Sequence, residues 1–497
     1  MQLPAEFDVV ILGAGPAGSV LAERLSRKGF RVAVVDRQRF PRYAIGESLP
    51  PSVFLLLQRT GILKPFTACD FPRTTGTWTA WGSQTLAFNA HSARHSRGFQ
   101  VERAAFDTLL LDAARSSGAV FFEGWRPVGF QSVTPGWRLA LCSSAGKRRA
   151  VKARFLCDAT GRARVLARNL GLKPSVQGNL VGLVGYWDLP GIKPGADGYN
   201  TLVESLPNGW AYTIQLSRRL RVAGFMTGRE QLPRSLRTQS HQLYAQALQQ
   251  TKHLSPRLRD ARWDGQVHIF AANPSLMHPC CGRDWLLVGD AASTLDPLCS
   301  QGVQKAIASA LAAVPIINTL LLRPERADST IAFYCQRELS LFENHLATLS
   351  RYYQREQRWQ AQPFWSQRQA PSPVLCASSA AKSSPRPFIV RVHSRDQIAP
   401  APGTRIVRRP VVEGGFVKLR PVVTSPTNKR GIRYCGVVCL PDLLAMLADA
   451  PTLAQLTTRY RRKHRASPSA IRVAIRLLLS LGMAKVAATR RKAGRHA

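Results

Sequence analysis

The sequence predicts an α/β body with an antiparallel sheet inserted into it, followed by a linker and a small α+β domain. Three observations predict this. Phe7–Leu12 is a continuous apolar run, the pattern of a parallel strand buried on both faces. A glycine turn, an amphipathic helix and a second apolar strand follow it directly. Between about residues 174 and 272 the pattern changes to alternating runs separated by Gly, Pro and Asn, which reads as antiparallel strands. At 497 residues the chain can hold two or three domains, each with its own core.

Taken in order, Ser19–Lys28 has helical spacing of Val20, Leu21 and Leu25, and Arg31–Val35 is a strand ending at Asp36. Residues 98–118 predict one helix with Phe106, Leu109, Leu110 and Ala113 on a face. Leu180–Tyr186, Thr201–Leu206, Trp210–Leu216 and Leu220–Met226 are the strands of the insert. Ala306–Leu322 is the longest apolar run; it contains Pro315 and reads as a buried helix, not a membrane span. Ala370–Pro387, rich in Ala, Ser and Pro, is the linker. Beyond it, Phe416–Thr424 reads as a strand, Leu440–Leu447, Thr452–Tyr460 and Pro468–Leu481 as helices, and Ala484–Ala487 as a short strand, before a basic tail, Arg490–Ala497. The expected domains are therefore 1–173 with 273–369 (nucleotide-binding), 174–272 (substrate), 370–387 (linker) and 388–490 (C-terminal).

Hydrophobic residues make up 45% and charged residues 20%, which excludes a disordered chain. There are 69 Lys and Arg against 29 Asp and Glu, a formal charge of +40. The excess is uneven: residues 1–330 hold 40 basic and 22 acidic residues, and residues 331–497 hold 29 and 7. Such a C-terminal surface attracts nucleic acid, anionic lipid or an acidic partner protein, although a coding bias toward Arg gives the same composition. Ten Cys in a chain of this length do not suggest a disulfide scaffold. The adjacent Cys280 and Cys281 and the C-x3-C pair Cys435 and Cys439 lack a second ligand pair, so no metal is expected. The charged start does not fit a signal peptide, and a cytoplasmic location is expected.

The first motif is Gly13-Ala14-Gly15-Pro16-Ala17-Gly18, between a strand and a helix, with Asp36 eighteen residues beyond Gly18. Gly13 permits the tight turn, Gly15 lets backbone approach a pyrophosphate, Gly18 lets helix and strand pack, and Asp36 can take ribose hydroxyls. Far downstream, Arg283-Asp-Trp-Leu-Leu-Val-Gly289-Asp290 is a strand ending in Gly-Asp, followed by Ser293–Gly302 and another helix. Leu156-Cys-Asp158-Ala-Thr-Gly161-Arg162 and Val101-Glu-Arg103-Ala-Ala-Phe-Asp107 lie between them. Together the four resemble the signatures of the large flavoprotein monooxygenase class. That resemblance implies an FAD-binding, Rossmann-like fold of the glutathione-reductase type, with Asp290 on the ribitol chain and Arg103 on the cofactor. It also implies that the helix start at Gly302 and Val303 faces the flavin pyrimidine, where its dipole favours negative charge. No second dinucleotide turn appears, so electrons must come from transiently docked NAD(P)H or from a separate flavin reductase, with O2 as co-substrate.

A fifth stretch, Phe40-Pro-Arg42-Tyr43-Ala-Ile-Gly46-Glu47-Ser48-Leu49-Pro50, resembles the G-E-S-L segment of flavin-dependent halogenases and their monooxygenase relatives, a superfamily that includes geranylgeranyl reductases. In that group it passes beside the flavin, which adds Arg42, Glu47 and Ser48 to the expected cofactor contacts. Halogenases also carry W-x-W-x-I-P; this chain has Trp210-Ala-Tyr212-Thr-Ile214-Gln215. No lysine falls between Lys64 and Lys147, where the family's catalytic lysine lies, and Cys299 replaces a Glu that follows Asp296-Pro297-Leu298 in tryptophan halogenases. Ser300, Gln301 and Gly302 still occupy the halide-binding turn and, with Glu47, are the candidate catalytic residues. These departures favour oxygen transfer. Trp78, Trp81, Trp210 and Tyr212 are candidates for an aromatic substrate pocket, and His91 and His95 are candidate acid/base groups against a reading as solvated loop residues.

The C-terminal segment looks like a winged-helix module and also like the peptide-recognition domains of enzymes that modify ribosomal peptides. The expected protein is thus an FAD-dependent monooxygenase hydroxylating an aromatic substrate, with a tryptophan or other aromatic side chain in a peptide or protein among the candidates. Two alternatives stand beside it: a flavin-dependent halogenase or reductase, and a flavin-based redox regulator that binds nucleic acid.

Overall fold

The computed structural model describes residues 5–91, 97–191, 193–195, 197–232, 236–369 and 392–487. The Ala370–Pro387 linker, the Arg490–Ala497 tail and His95 lie outside the described residues. The chain divides into two compact units, Met1–Leu375 and Cys376–Ala497.

In the first unit a seven-stranded sheet is built on Glu6–Leu12. Val32–Asp36 pairs with it in parallel on one side and Arg148–Asp158 on the other; Val120–Glu123 and Trp285–Leu287 extend the parallel part. The antiparallel strands Trp137–Ser143 and Trp125–Ser132 complete the sheet beyond Arg148–Asp158. Val9, Val10, Ile11 and Leu12 are wholly buried, as a central parallel strand covered on both faces requires. The helix Pro16–Ser26 packs against Arg103–Ser116 and against the long helix Gly302–Leu322. Among the described residues only Gly302–Leu322 has the length and apolarity of a membrane span, and most of its residues are buried within this unit. The predicted helix at 98–118 begins at Arg103. Gly98–Gln100 is instead a strand held by Ser48–Leu49 and Arg73–Thr74.

A second, eight-stranded sheet contains Leu180–Asp188, Thr201–Leu206, Gly209–Gln215 and Leu220–Gly228 as antiparallel neighbours. It is not confined to residues 174–272. Gly76–Ala80 pairs in parallel with Thr201–Leu206, and Ala87–Ala90 closes that edge.

The second unit carries the hairpin Arg405–Glu413 and Phe416–Ser425, the helices Leu440–Ala445, Leu453–Lys463 and Pro468–Ser480, and the short pair Ile398–Pro400 with Ala484–Val486. Ile398, Val423, Leu440, Leu443, Leu456, Tyr460, Ile471 and Leu478 form its own core.

Candidate functional site

The glycine turn leaves no room for a side chain at Gly13 or Gly18. Gly13 has φ +97°, and a Cβ there would lie 2.5 Å from the Ala159 carbonyl oxygen; one on Gly18 would lie 1.9 Å from that of Gly13. Helix and turn are thus in direct contact. The Ala14 N–H donates to Asp36 Oδ2 at 2.8 Å and the Gln38 N–H to Oδ1 at 2.9 Å, fixing the carboxylate at the end of its strand. Gly15 caps the helix Pro16–Ser26 with no side chain over its end, so the first-turn N–H groups stay open to a ligand. Ala14 and Gly18 shape the turn from behind, while Gly13, Gly15, Pro16, Ala17 and Asp36 line a cavity of about 620 Å³.

A second helix start reaches the same cavity. Gly302–Leu322 begins there with Gly302 and Val303, has no side-chain cap and carries no acid in its first turn. Ser300, at φ +50°, turns the chain into it and lines the wall. Gln301 is the cap residue but does not line the cavity. Asp290 does, and Gly289 lies beneath it at φ +63°, where a Cβ would press within 2.8 Å of the Ala17 Cβ. Lys305 Nζ donates to the carbonyls of Gly289 and Ser293, pinning this segment; burial lowers its pKa.

Backbone that excludes a Cβ at Gly13 and Gly18, two bare helix starts on one cavity, an acid at a strand end and arginines around the rim together suit a flavin dinucleotide. Arg42, Arg103, Arg126, Arg162 and Arg168 all line it. Arg103 is buried, which works against its charge, but Asp107 accepts from Nε at 2.9 Å and from Nη2 at 3.0 Å, and its pKa is raised. Nη1 donates to the Ile45 carbonyl. Glu47, only 2% exposed, accepts the Tyr186 hydroxyl at 2.5 Å and the Gly46 N–H at 2.8 Å. The Ser48 hydroxyl lies 3.3 Å from that of Thr201. The residues present fit FAD.

Part of the same cavity's wall is apolar and aromatic: Trp210, Tyr212, Ile214, Met226, Phe270 and Leu298. Asp296 also lines it. Burial pushes its carboxyl up to about 6, against the Leu298 N–H at 2.9 Å and the Tyr353 hydroxyl at 3.0 Å that favour its charged form. Trp210 Nε1 in turn donates to the Tyr353 oxygen at 3.3 Å.

Some expected residues lie elsewhere. Trp78 and Trp81 do not line the cavity. Trp78 pairs across the sheet with Leu202, on the face away from the cavity-lining Thr201 and Val203, and packs on Phe88. Trp81 packs on Trp365 and donates to the Tyr352 carbonyl. Asp158 is also off the wall. Its carboxylate accepts from the Thr160 N–H and hydroxyl and from the Leu166 and Ala167 N–H groups, so it ties down the loop whose Thr160, Gly161 and Arg162 do line the cavity. His91, 3.3 Å from the Thr74 hydroxyl, is away from the site. Asp296, Arg162, Ile45 and Phe270 were not anticipated. Asp296 had a usable signal, an acid directly before Pro297 at a helix-entry turn.

The family described as FAD binding domain matches residues 6–340. Tryptophan 2-halogenase of Chondromyces crocatus is 31% identical over 352 residues, 67% of this chain; the chain spans only 65% of that relative's length. LodB of Marinomonas mediterranea is 27% identical over 381 residues, 75% of this chain and 99% of its own. Among solved structures, a peptidyl tryptophan dihydroxylase essential for tryptophylquinone cofactor biogenesis, QhpG, superimposes with a TM-score of 0.72 at 27% identity, covering 96% of this chain and 100% of its own.

Proposed function

We propose, on the premise that this chain belongs to the FAD binding domain family and is an FAD-dependent, halogenase-like oxidoreductase, that it is a monooxygenase hydroxylating an aromatic side chain, with tryptophan in a peptide or protein as the favoured substrate. The observation that carries this reading is the aromatic part of the cavity wall. Trp210, Tyr212, Phe270 and Met226 form an apolar face for a ring, and none of the described residues lining the cavity is a lysine. The likeness to a peptidyl tryptophan dihydroxylase supports it.

In this reading the backbone of Gly13–Gly18 holds the pyrophosphate, Asp36 the ribose and Asp290 the ribitol, while Arg42, Arg103, Glu47 and Ser48 line the flavin side. Bound FAD supplies two-electron chemistry with O2. The chain's own part is to hold the substrate ring against Trp210 and Tyr212, to exclude water with Ile214, Met226 and Leu298, and to place titratable groups at the reacting carbon. Electrons come from NAD(P)H or a separate reductase, in the cytoplasm. The C-terminal unit, winged-helix-like or peptide-recognition-like, holds the polymeric substrate.

A second reading, halogenation, is favoured by the 31% identity to a tryptophan halogenase. One experiment separates them: reduced enzyme, O2, bromide and aromatic peptides, with products read by mass spectrometry. Gain of one oxygen is the expected outcome, and a bromine isotope pair overturns it.

A further inference from the structure

We infer that the outer edge of the strand Arg405–Glu413 is a docking edge, on which an acidic stretch of a peptide or protein substrate pairs as an added β-strand. This deepens the reading of a peptide or protein substrate, on which it rests: it names where such a chain is held and by what chemistry.

The hairpin fixes which backbone groups face outward. Arg405–Glu413 and Phe416–Ser425 pair without a break, from Arg405 against Thr424 to Glu413 against Phe416. The loop between them is Gly414-Gly415, with φ +61° and +80°, a two-residue turn in which both central residues have positive φ. Such a turn makes Glu413 and Phe416 a hydrogen-bonded pair, and the ladder alternates from there. Arg405, Val407, Arg409, Val411 and Glu413 therefore bond to Phe416–Ser425. The N–H and C=O groups of Ile406, Arg408 and Val412, and the C=O of Pro410, point the other way. Pro410 has no N–H to give and occupies one of the outward positions, where an edge strand tolerates proline. Phe416–Ser425 lies in the middle of its three-stranded sheet, with Asn428–Ile432 beyond it. Among the described residues, no strand pairs with the outer edge of Arg405–Glu413.

An open edge of nine residues is an aggregation hazard unless a partner is built to meet it. The side chains define that partner. Ile406 and Val412 share a face with Leu419, and the three are 45%, 48% and 47% exposed. Arg405 and Arg409 are exposed on the opposite face. The hairpin's one acid, Glu413, pairs with Arg420 at 2.7 Å and with Lys418 and Arg433. Among the described residues it leaves Arg405 and Arg409 without a carboxylate. An incoming strand alternates its side chains in the same way. Acidic residues at every second position meet Arg405 and Arg409, apolar residues between them meet Ile406 and Val412, and backbone bonds hold both in register. A second copy of this strand would set arginines against arginines, so charge selects an acidic partner over self-pairing.

The test uses the full-length FAD-loaded protein and a dye-labelled peptide that alternates Glu with Val, ends in Trp and matches the strand in length. Fluorescence anisotropy should show binding that weakens with added salt. V412P, which removes one outward N–H, should weaken binding about three- to tenfold, the scale of one hydrogen bond. R405E/R409E should weaken it about tenfold or more. Methylating every second backbone nitrogen of the peptide gives two phases; the phase whose methyls face the edge should lose binding and the other should keep it. On peptide addition, amide hydrogen exchange should slow at Ile406, Arg408 and Val412 and stay unchanged at Val407 and Val411. Equal binding by the two methylated peptides overturns the docking edge. So does slow exchange at Ile406, Arg408 and Val412 before any peptide is added, because the chain's own residues or a second copy then fill it. The methylated peptides leave the protein unaltered, so they decide even where V412P fails to fold. Oxygenation of the peptide's Trp tests the reading separately. Oxygenation that is equal in wild type, V412P and R405E/R409E overturns the docking edge alone, and phase-dependent binding without oxygenation overturns the substrate reading alone.

Discussion

At Gly18 a single methyl group meets backbone, not a movable side chain: its Cβ would sit 1.9 Å from the Gly13 carbonyl oxygen. Gly18→Ala must therefore push the helix Pro16–Ser26 off the turn, an overpacking strain of about 1–3 kcal/mol. The purified variant should have lost most of its bound FAD, read as the flavin absorbance per protein. Asp296 makes stability depend on pH. Its folded pKa is raised from the model-compound value of 3.8 to about 6 by burial. The folded state therefore binds its proton more tightly than the unfolded state does. Stability from this group is present below the unfolded value and is lost as pH rises toward the folded one, a swing on the order of 3 kcal/mol. Denaturant unfolding of wild type and Asp296→Asn between about pH 4 and about pH 7 should show wild type losing ground to the variant as pH rises. A gap that widens in favour of wild type would show that the carboxylate is better solvated than its burial implies.

Elements differ in how far their own residues determine them. Glu6–Leu12, the glycine turn and Val32–Asp36 were legible because strand, turn and helix each follow from local apolar pattern and from positions that only glycine can occupy. The glycine-turn side of the cavity was legible for the same reason. Gly98–Gln100 was not, because a three-residue strand exists only through pairing with distant Ser48–Leu49 and Arg73–Thr74. Trp78 failed as a pocket residue because its direction depends on the register against Leu202, which local sequence does not contain. Arg405–Glu413 was also missed: it carries charges on both faces, and its hairpin with Phe416–Ser425 supplies the pairing. Gly224 lies opposite Tyr212 across the sheet, and a Cβ there would come within 2.2 Å of the Tyr212 ring. Gly224→Ala should drive that ring into the cavity. KM for the aromatic substrate should rise several-fold while FAD content stays at the wild-type level; an unchanged KM would remove Tyr212 from the substrate wall.

On the scale of the whole molecule, the unit that lacks the flavin site carries a basic excess of its own. The glycine turn, both helix starts and the aromatic wall all belong to the unit ending at Leu375. Residues 392–487 carry 17 Lys and Arg against 4 Asp and Glu around a core of their own. Much of that charge is outward: Arg461, Arg462 and Lys463 end the helix Leu453–Lys463 exposed, and Arg472 and Arg476 are exposed or partly so on Pro468–Ser480. Catalysis on a small free aromatic molecule has no physical need for such a surface, whereas a peptide or protein bearing acidic residues near its target ring does. Truncation after Gln369 should therefore leave FAD bound and leave the uncoupled oxidation of reductant intact, while kcat/KM on an acidic aromatic peptide falls tenfold or more, mainly through KM, an estimate of about 1.4 kcal/mol of lost binding. In the full chain the same KM should rise with added salt, because contacts between exposed charges are screened over roughly 8–10 Å at physiological ionic strength. In the truncated chain that salt dependence should disappear. Loss of FAD on truncation would make the C-terminal unit a structural support, and tighter binding of duplex DNA than of any acidic peptide would turn the basic face toward nucleic acid.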